Sequence, residues 1–420
     1  MAKSGVVAGK HLVELRKDKT KVNQKTFAEL VGLSVETIRS YEQGRRLLTV
    51  EKFQEVKEKL GYVIDSSNSV RVMIDYLRIT FKNVTDLDWF CRQYLYCPLS
   101  DFVSFETKLM SYTHLWRRGD IWIFDFADKS IKKNYQITLQ MSGSGCRQFE
   151  LLLERAGITW AEALQKMNFN REDMSVTRID ISMDEMYKGQ DKEHEQFDLF
   201  SLVEKYHHNR VILDRVEKFS HVGGGAYRDG IFASDGLSIY FGSRQSSFFM
   251  NFYEKRFELA KKEKVSVEEA LAIFGIWNRY ELRFSDTKAQ SLVEEYVNGV
   301  DIAEAAKGVL NKEIQVYDEV NSYGAYLPDR KWQALFGGVE PLKLSTSPEA
   351  YDIFRTVKWL VYQVSNSLAL VSEADKKLAT NYLKMIMESG EIGEKEEKVL
   401  SQLSYDDKKY LDEIFGMEIM

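Results

Sequence analysis

Four prolines, three cysteines and no long apolar run set the first limits on this 420-residue chain. Cys91, Cys97 and Cys146 are too few for a disulfide framework, and they offer no CxxC pair to zinc. No stretch approaches the roughly 18–20 apolar residues that span a bilayer. The opening MAKSGVVAGKHLVELRKD is too poor in apolar residues for a secretory signal. Together these absences point to a reduced, cytoplasmic compartment with no membrane segment. No proline lies between Pro98 and Pro328, which leaves room for long unbroken β-ladders. The GGG at 223–225 lacks the lysine and Ser/Thr of a nucleotide-binding loop, so it reads as a hairpin turn. Excess positive charge is missing too, with a net charge of −6. That sum hides a gradient. Residues 1–60 hold 13 Lys and Arg against 8 Asp and Glu, while residues 381–420 hold 5 against 10. A nucleic-acid partner for the basic front end stays open. What is present is ordinary globular material, 44% apolar and 29% charged, enough for two or three domains.

The first sixty residues carry apolar side chains at helical spacing: Leu12 and Leu15, then Phe27, Leu30 and Val31, then Ile38 and Tyr41. Gly32 is placed to close one helix and Ser34 to cap the next, with Thr37 on its first turn. Two short helices around a tight glycine turn make a helix-turn-helix, with a plain three-helix packing unit as the alternative. The pattern Q-x-x-x-A-x-x-x-G-x-S-x-x-T-I-x-x-Y-E-x-G, from Gln24 to Gly44, resembles the phage-repressor type of helix-turn-helix. That resemblance implies that Gln24 touches phosphate. It also implies that Ser34, Val35, Glu36, Thr37 and Arg39 face base edges and backbone in the major groove. Lys25, Arg45 and Arg46 are suited to neutralising the DNA backbone.

IDSSNS (64–69) reads as a linker, and beyond it the texture turns to β. Alternation predicts strands at 70–81, 119–127, 135–143, 175–184, 237–244, 247–256 and 276–286. Helices are expected at 86–95, 147–156, 160–167, 199–207 and 267–274. This is an α+β region, an antiparallel or mixed sheet with helices on one face. From about residue 290 the chain reads as helical again, with amphipathic helices at 349–370 and 372–389 and acidic helices to the end. The expected organisation is multidomain: an all-α helix-turn-helix domain (1–63), a linker (64–69), an α+β catalytic domain (70–345) and a helical C-terminal region (346–420).

Three of these strands carry ionisable groups at the period of two that gathers them on one face. They are Arg178, Asp180, Ser182 and Asp184; Arg279, Glu281 and Arg283; and Asn251, Tyr253 and Lys255. A solvated outer face with cross-strand ion pairs would explain such a pattern, and Tyr253 would then be a cross-strand aromatic. The mixture favours chemistry instead: hard carboxylate oxygens suit Mg²⁺ or Mn²⁺, and the cations suit phosphate.

The blocks SVTRIDISMDE, IYFGSRQSSFFMNFYEKR and RYELRF resemble the three active-site blocks of the Rep_trans family. That family comprises rolling-circle replication initiators of plasmids and the MobT relaxases of integrative and conjugative elements. VRVMIDYLRITF and MSGSGCRQFE fit as well, so the resemblance runs over roughly residues 70–340. A helix-turn-helix in front of such a domain is similar to some MobT relaxases. The resemblance implies that Tyr253 is the nucleophile, that Asp180 and Glu281 are metal ligands, and that Asp75 or Asp184 completes the metal shell. It also implies that Arg244 and Lys255 clamp phosphate and lower the tyrosine pKa. The HH at 207–208 lacks the spacer of histidine-based relaxases.

The implied reaction is metal-assisted transesterification, giving a 5′-phosphotyrosine link and a free 3′-hydroxyl for later religation. The implied partners are duplex origin DNA for the helix-turn-helix and single-stranded or extruded DNA at the nick. Tyr227, Tyr240 and Trp277 are candidates for base stacking. With no motor motif, unwinding falls to a helicase, and a coupling protein, accessory factors and a homodimer are further candidate partners. A plasmid replication initiator with the same chemistry remains an alternative, as does a transcriptional repressor.

Overall fold

The computed structural model describes residues 6–62, 70–126, 135–168, 174–228, 231–318, 324–342 and 364–390, together with residues 344, 360 and 392. The expected linker at 64–69, the helical stretch 349–359 and the acidic helices beyond 392 lie outside these residues. Near the N-terminus four helices form: α1 (Gly9–Glu14), α2 (Gln24–Val31), α3 (Val35–Glu42) and α4 (Val50–Lys59). Their ends follow from local chemistry. The Asn23 side chain accepts from Thr26 N at 2.9 Å to start α2, and Gly32 ends it at φ +64°. Ser34 Oγ accepts from Thr37 N at 3.1 Å to start α3. Leu12, Phe27, Val31, Ile38, Tyr41 and Val56 bury together between the helices. Ala325, distant in sequence, completes this core at 0% exposure. Tyr326 N donates to Thr20 O at 3.1 Å beside it. The helix-turn-helix is thus seated on the following domain.

That domain is built on a ten-stranded antiparallel sheet. In chain order its strands are β1 (Val70–Lys82), β2 (Val103–Glu106), β3 (His114–Arg118), β4 (Ile121–Asp125), β5 (Gln136–Met141), β6 (Met174–Met186), β7 (Phe219–Arg228), β8 (Ile231–Phe241), β9 (Phe248–Tyr253) and β10 (Ile276–Ser285). Across the sheet they lie in the order β7-β8-β9-β10-β6-β1-β5-β4-β3-β2. Alternation decides what each face carries. One face presents Leu77, Ile79, Ile179, Ile181, Met250, Phe252, Tyr280 and Leu282, all buried in one cluster. The helices join that same cluster. Phe149 and Leu153 come from α5 (Gly143–Ala156), Leu292 from Asp286–Val297, Leu310 from Ile302–Glu313, and Trp332 from Arg330–Phe336. The helices therefore cover the apolar face, and the other face of the central strands is left to the ionisable residues.

Several expectations are corrected. GGG 223–225 is not a hairpin turn but the middle of β7, paired with β8 through a register shift between Gly224 and Gly225. Strands β2, β3 and β7 escape the sequence reading. The expected strand 247–256 stops at Tyr253, and Lys255 opens helix α6 (Lys255–Glu263). The helix ending at Glu313 gives way to a short strand, Ile314–Val316, which pairs with Val211–Leu213. Toward the C-terminus the break between helices falls at Ala379, φ +54°, rather than near residue 371.

Candidate active site

Four neighbouring strands bring the ionisable residues into register as rows. Tyr253 on β9 lies opposite Arg279 on β10, which lies opposite Asp184 on β6, which lies opposite Arg71 on β1. The next row is Asn251, Glu281, Ser182 and Met73; the third is Phe249, Arg283, Asp180 and Tyr76. Asp75 belongs to no row, because the β1–β6 register shifts between Ile74 and Tyr76. A bulge of this kind re-aims a side chain, and Asp75 reaches Arg279 Nη1 at 3.3 Å. Gly143 at the start of α5 comes so close that a Cβ there would meet Asp75 Oδ1 at 3.0 Å.

The Tyr253 hydroxyl donates to Glu281 Oε1 at 2.8 Å and receives a 3.3 Å contact from Lys255 Nζ. Burial first, and the charge of Glu281 next, push the phenol well above its ordinary value of 10. This corrects the expectation that nearby cations hold it low. Lys255 turns its charge to Glu258 at 2.8 Å. Arg244 sits in the β8–β9 turn with its guanidinium 5.5 Å over the Tyr240 ring. Tyr240 lies opposite Asn251, two residues from Tyr253 on β9, and no hydrogen bond joins Arg244 to Tyr253 among the described residues. Glu281 is itself raised above the ordinary 4.5, chiefly by burial and further by Asp75 and Asp180, against the lowering bond from Tyr253. A half-buried carboxylate with a raised pKa, hydrogen-bonded to a phenol, is an arrangement able to accept that phenol's proton.

The other acids are already engaged. Asp184 is fully buried, and Arg279 grips it from Nε and Nη2, the latter at 2.9 Å, while Arg71 adds a contact at 3.0 Å. With both oxygens held by guanidinium groups, Asp184 orients Arg279 beside Tyr253. Asp180 accepts from Arg178 Nε at 2.8 Å and stands 3.5 Å from Arg283 Nε. Among the described residues no three His, Cys, Asp or Glu side chains form a ready metal centre. Ser182 Oγ and Asn251 Oδ1, however, are buried without a hydrogen-bond partner in the row of Glu281. Uncommitted hard oxygens beside a carboxylate suit Mg²⁺ or Mn²⁺, which needs only one or two carboxylates when phosphate and water supply the rest.

The family model described as replication initiation factor (Rep_trans) matches residues 174–387, slightly more than half the chain. The chain belongs to the replication initiation factor family. The model of the rolling-circle replication initiation protein N-terminal domain matches residues 71–166, and a helix-turn-helix model matches residues 12–63. A Bacillus subtilis (strain 168) protein provisionally named DNA relaxase NicK is 28% identical over 330 residues, covering 78% of this chain and 88% of that protein. A solved rolling-circle replication initiator from Geobacillus stearothermophilus matches with a TM-score of 0.51 at 21% identity, over 66% of this chain and 99% of that one. At that identity the likeness establishes the fold.

The residues expected to read DNA are placed as follows. Ser34 is exposed at the cap of α3, Glu36 and Arg39 are exposed on it and paired at 3.7 Å, and Thr37 is partly exposed. Val35 leans on the helix-turn-helix core. Gln24, expected at phosphate, donates instead to Glu42 at 2.7 Å, a carboxylate also gripped by Arg16. Lys25 and Arg45 are exposed, and Arg46 lies 5.3 Å over the Tyr41 ring. Of the proposed stacking aromatics, Trp277 already stacks on Tyr187 and lies 3.6 Å from the Arg256 guanidinium. Tyr227 is exposed on β7, the edge strand two places from β9. Asn251, Ser182, Arg279 and Arg283 sit within the site although the sequence reading assigned them no role. Their period-two spacing with Tyr253, Asp180 and Glu281 was the available signal.

Proposed function

We propose that this chain is a DNA relaxase that nicks and rejoins one strand at the transfer origin of a conjugative element, with Tyr253 as nucleophile. The observation that carries this reading is the 2.8 Å hydrogen bond from the Tyr253 hydroxyl to Glu281, flanked by Arg279 held against Asp184. Nicking of DNA by a tyrosine is the chemistry such a pair serves. Tyr253 Oη attacks the scissile phosphorus and its proton passes to Glu281. The 3′ oxygen leaves on the opposite side and takes a proton from water. A 5′-phosphotyrosine and a 3′-hydroxyl result, so the phosphodiester energy is retained for rejoining. Arg279, the cation that works against the rise in the Tyr253 pKa, stabilises the charge developing at the phenol and phosphate oxygens.

Glu281 and Asp75, with Asn251 and Ser182, would hold a Mg²⁺ or Mn²⁺ ion. When bound, it would polarise the phosphoryl oxygens and favour loss of the phenolic proton. Duplex DNA is engaged through α3, and single-stranded DNA at the sheet.

The test is supercoiled plasmid bearing the element's origin, incubated with wild type, with Tyr253→Phe, and with wild type plus chelator. Open circles with protein on the 5′ end, from wild type alone, are expected. Nicking that persists in Tyr253→Phe moves the active site elsewhere. Duplex binding without any nicking favours a repressor. Cutting only of a plasmid replication origin favours an initiator.

A further inference from the structure

On the same sheet face as Tyr253 a row of arginines and aromatics crosses five strands. Arg244, in the β8–β9 turn, lies 5.5 Å over the Tyr240 ring of β8. Tyr240 stacks on Phe249 of β9, with centroids 6.1 Å apart and planes at 19°. Arg283 of β10 lies 5.3 Å over Phe249. It pairs with Asp180 of β6, which Arg178 grips from the same strand. Arg178 in turn lies 4.0 Å over Tyr76 of β1. Two arginines here share one carboxylate, and the Arg283 Nε is buried without a hydrogen-bond partner. Arg178 and Arg283 keep 22% and 24% of their side chains exposed, and Tyr76 and Tyr240 are partly open. Two cations thus stand against one carboxylate, and the exposed Arg244 adds a third positive charge beside the Tyr240 ring, an excess that suits an anionic ligand.

We propose that this row is the track for the single strand flanking the nick, with bases stacking on Tyr240 and Tyr76 and phosphates held by Arg283, Arg178 and Arg244. The proposal rests on the relaxase reading above and adds where the strand runs. From β8 to β1 the row spans about 19 Å of sheet at about 4.8 Å per strand. That length accepts several nucleotides at about 3.4 Å per stacked step. Phe249 and Glu281 lie two residues apart in the β9–β10 register, which brings the track within one or two nucleotides of the reacting phosphate. Stacking reads no base, so the track tolerates sequence and leaves recognition to α3.

The experiment uses the full chain with Tyr253→Phe to prevent turnover, a fluorescent twelve-nucleotide thymidine oligonucleotide, and an abasic strand of equal length. Tyr240→Leu and Tyr76→Leu are expected to weaken oligonucleotide binding about tenfold each, with little effect on the abasic strand, while Tyr240→Phe retains binding. Arg283→Gln is expected to weaken both strands and to reduce the salt slope of log K by about 0.7. Binding of origin duplex through the helix-turn-helix, unchanged in every variant, reports that the chain is folded. If all four variants bind the oligonucleotide as the parent does, while wild type nicks through Tyr253, the track is wrong and the relaxase reading stands. If the parent binds no single strand and wild type does not nick, both fall.

Discussion

Asp184→Asn separates two accounts of the most deeply buried acid in the site. Asp184 is 0% exposed and receives two bonds from Arg279 and one from Arg71. Arg71 is half exposed, so its contact contributes little. Arg279 is 8% exposed, and Asp184 and Asp75 hold its pKa above the ordinary value although burial works against the charge. Removing one member of such a pair leaves a buried charge uncompensated, a loss of about 3–5 kcal/mol. An asparagine oxygen still accepts one bond, so the lower end applies. Urea unfolding should therefore show Asp184→Asn destabilised by about 3 kcal/mol. The double substitution Asp184→Leu with Arg279→Met should recover most of that, since both charges go together. Mn²⁺ binding measured by calorimetry on the folded variant should change little. Wild-type stability together with a tenfold loss of Mn²⁺ affinity would refute this reasoning and make Asp184 a metal ligand.

Glu281→Gln should lower nicking by about 10²–10⁴, the usual worth of a positioned base, yet leave stability equal or slightly higher. The sign follows from the raised pKa: the fold disfavours the carboxylate, so stability contributed by this group falls as pH rises through the range above 4.5. In wild type the single-turnover nicking rate should fall on acidification with a midpoint above 4.5, and a midpoint at or below that value would contradict Glu281 as proton acceptor. Arg39→Ala, on the exposed face of α3, should weaken origin duplex binding by about 1–3 kcal/mol in a mobility-shift titration while cutting of a single-stranded oligonucleotide persists. Ser34→Ala removes the cap on Thr37 N and should destabilise the helix-turn-helix by about 1 kcal/mol, read as faster amide exchange in α3.

Features set by near neighbours were the ones legible in the sequence. Gly32 and Ser34 end and start helices where their spacing indicated, because capping involves residues three apart. Alternation placed Asp180, Glu281 and Tyr253 on one face, and the rows bear this out. What escaped depends on partners far along the chain. The bulge that frees Asp75 exists only once β1 is paired with β6. The commitment of Asp184 to Arg279 crosses 95 positions. Lys255 looked like a strand residue because the alternation runs on past Tyr253, where the chain in fact turns into α6. The glycines of β7 imitate a turn because only the partner strand defines them as extended.

The central claim is that Tyr253 becomes covalently joined to DNA. Wild-type protein would be trapped on a single-stranded origin oligonucleotide that cannot be rejoined, digested with protease, and the nucleotide-bearing peptide sequenced by mass spectrometry. The adduct is expected on the peptide containing Tyr253, attached to a 5′ phosphate. An adduct on another tyrosine of the same face, such as Tyr240 or Tyr76, or a nick with no adduct at all, would contradict the account.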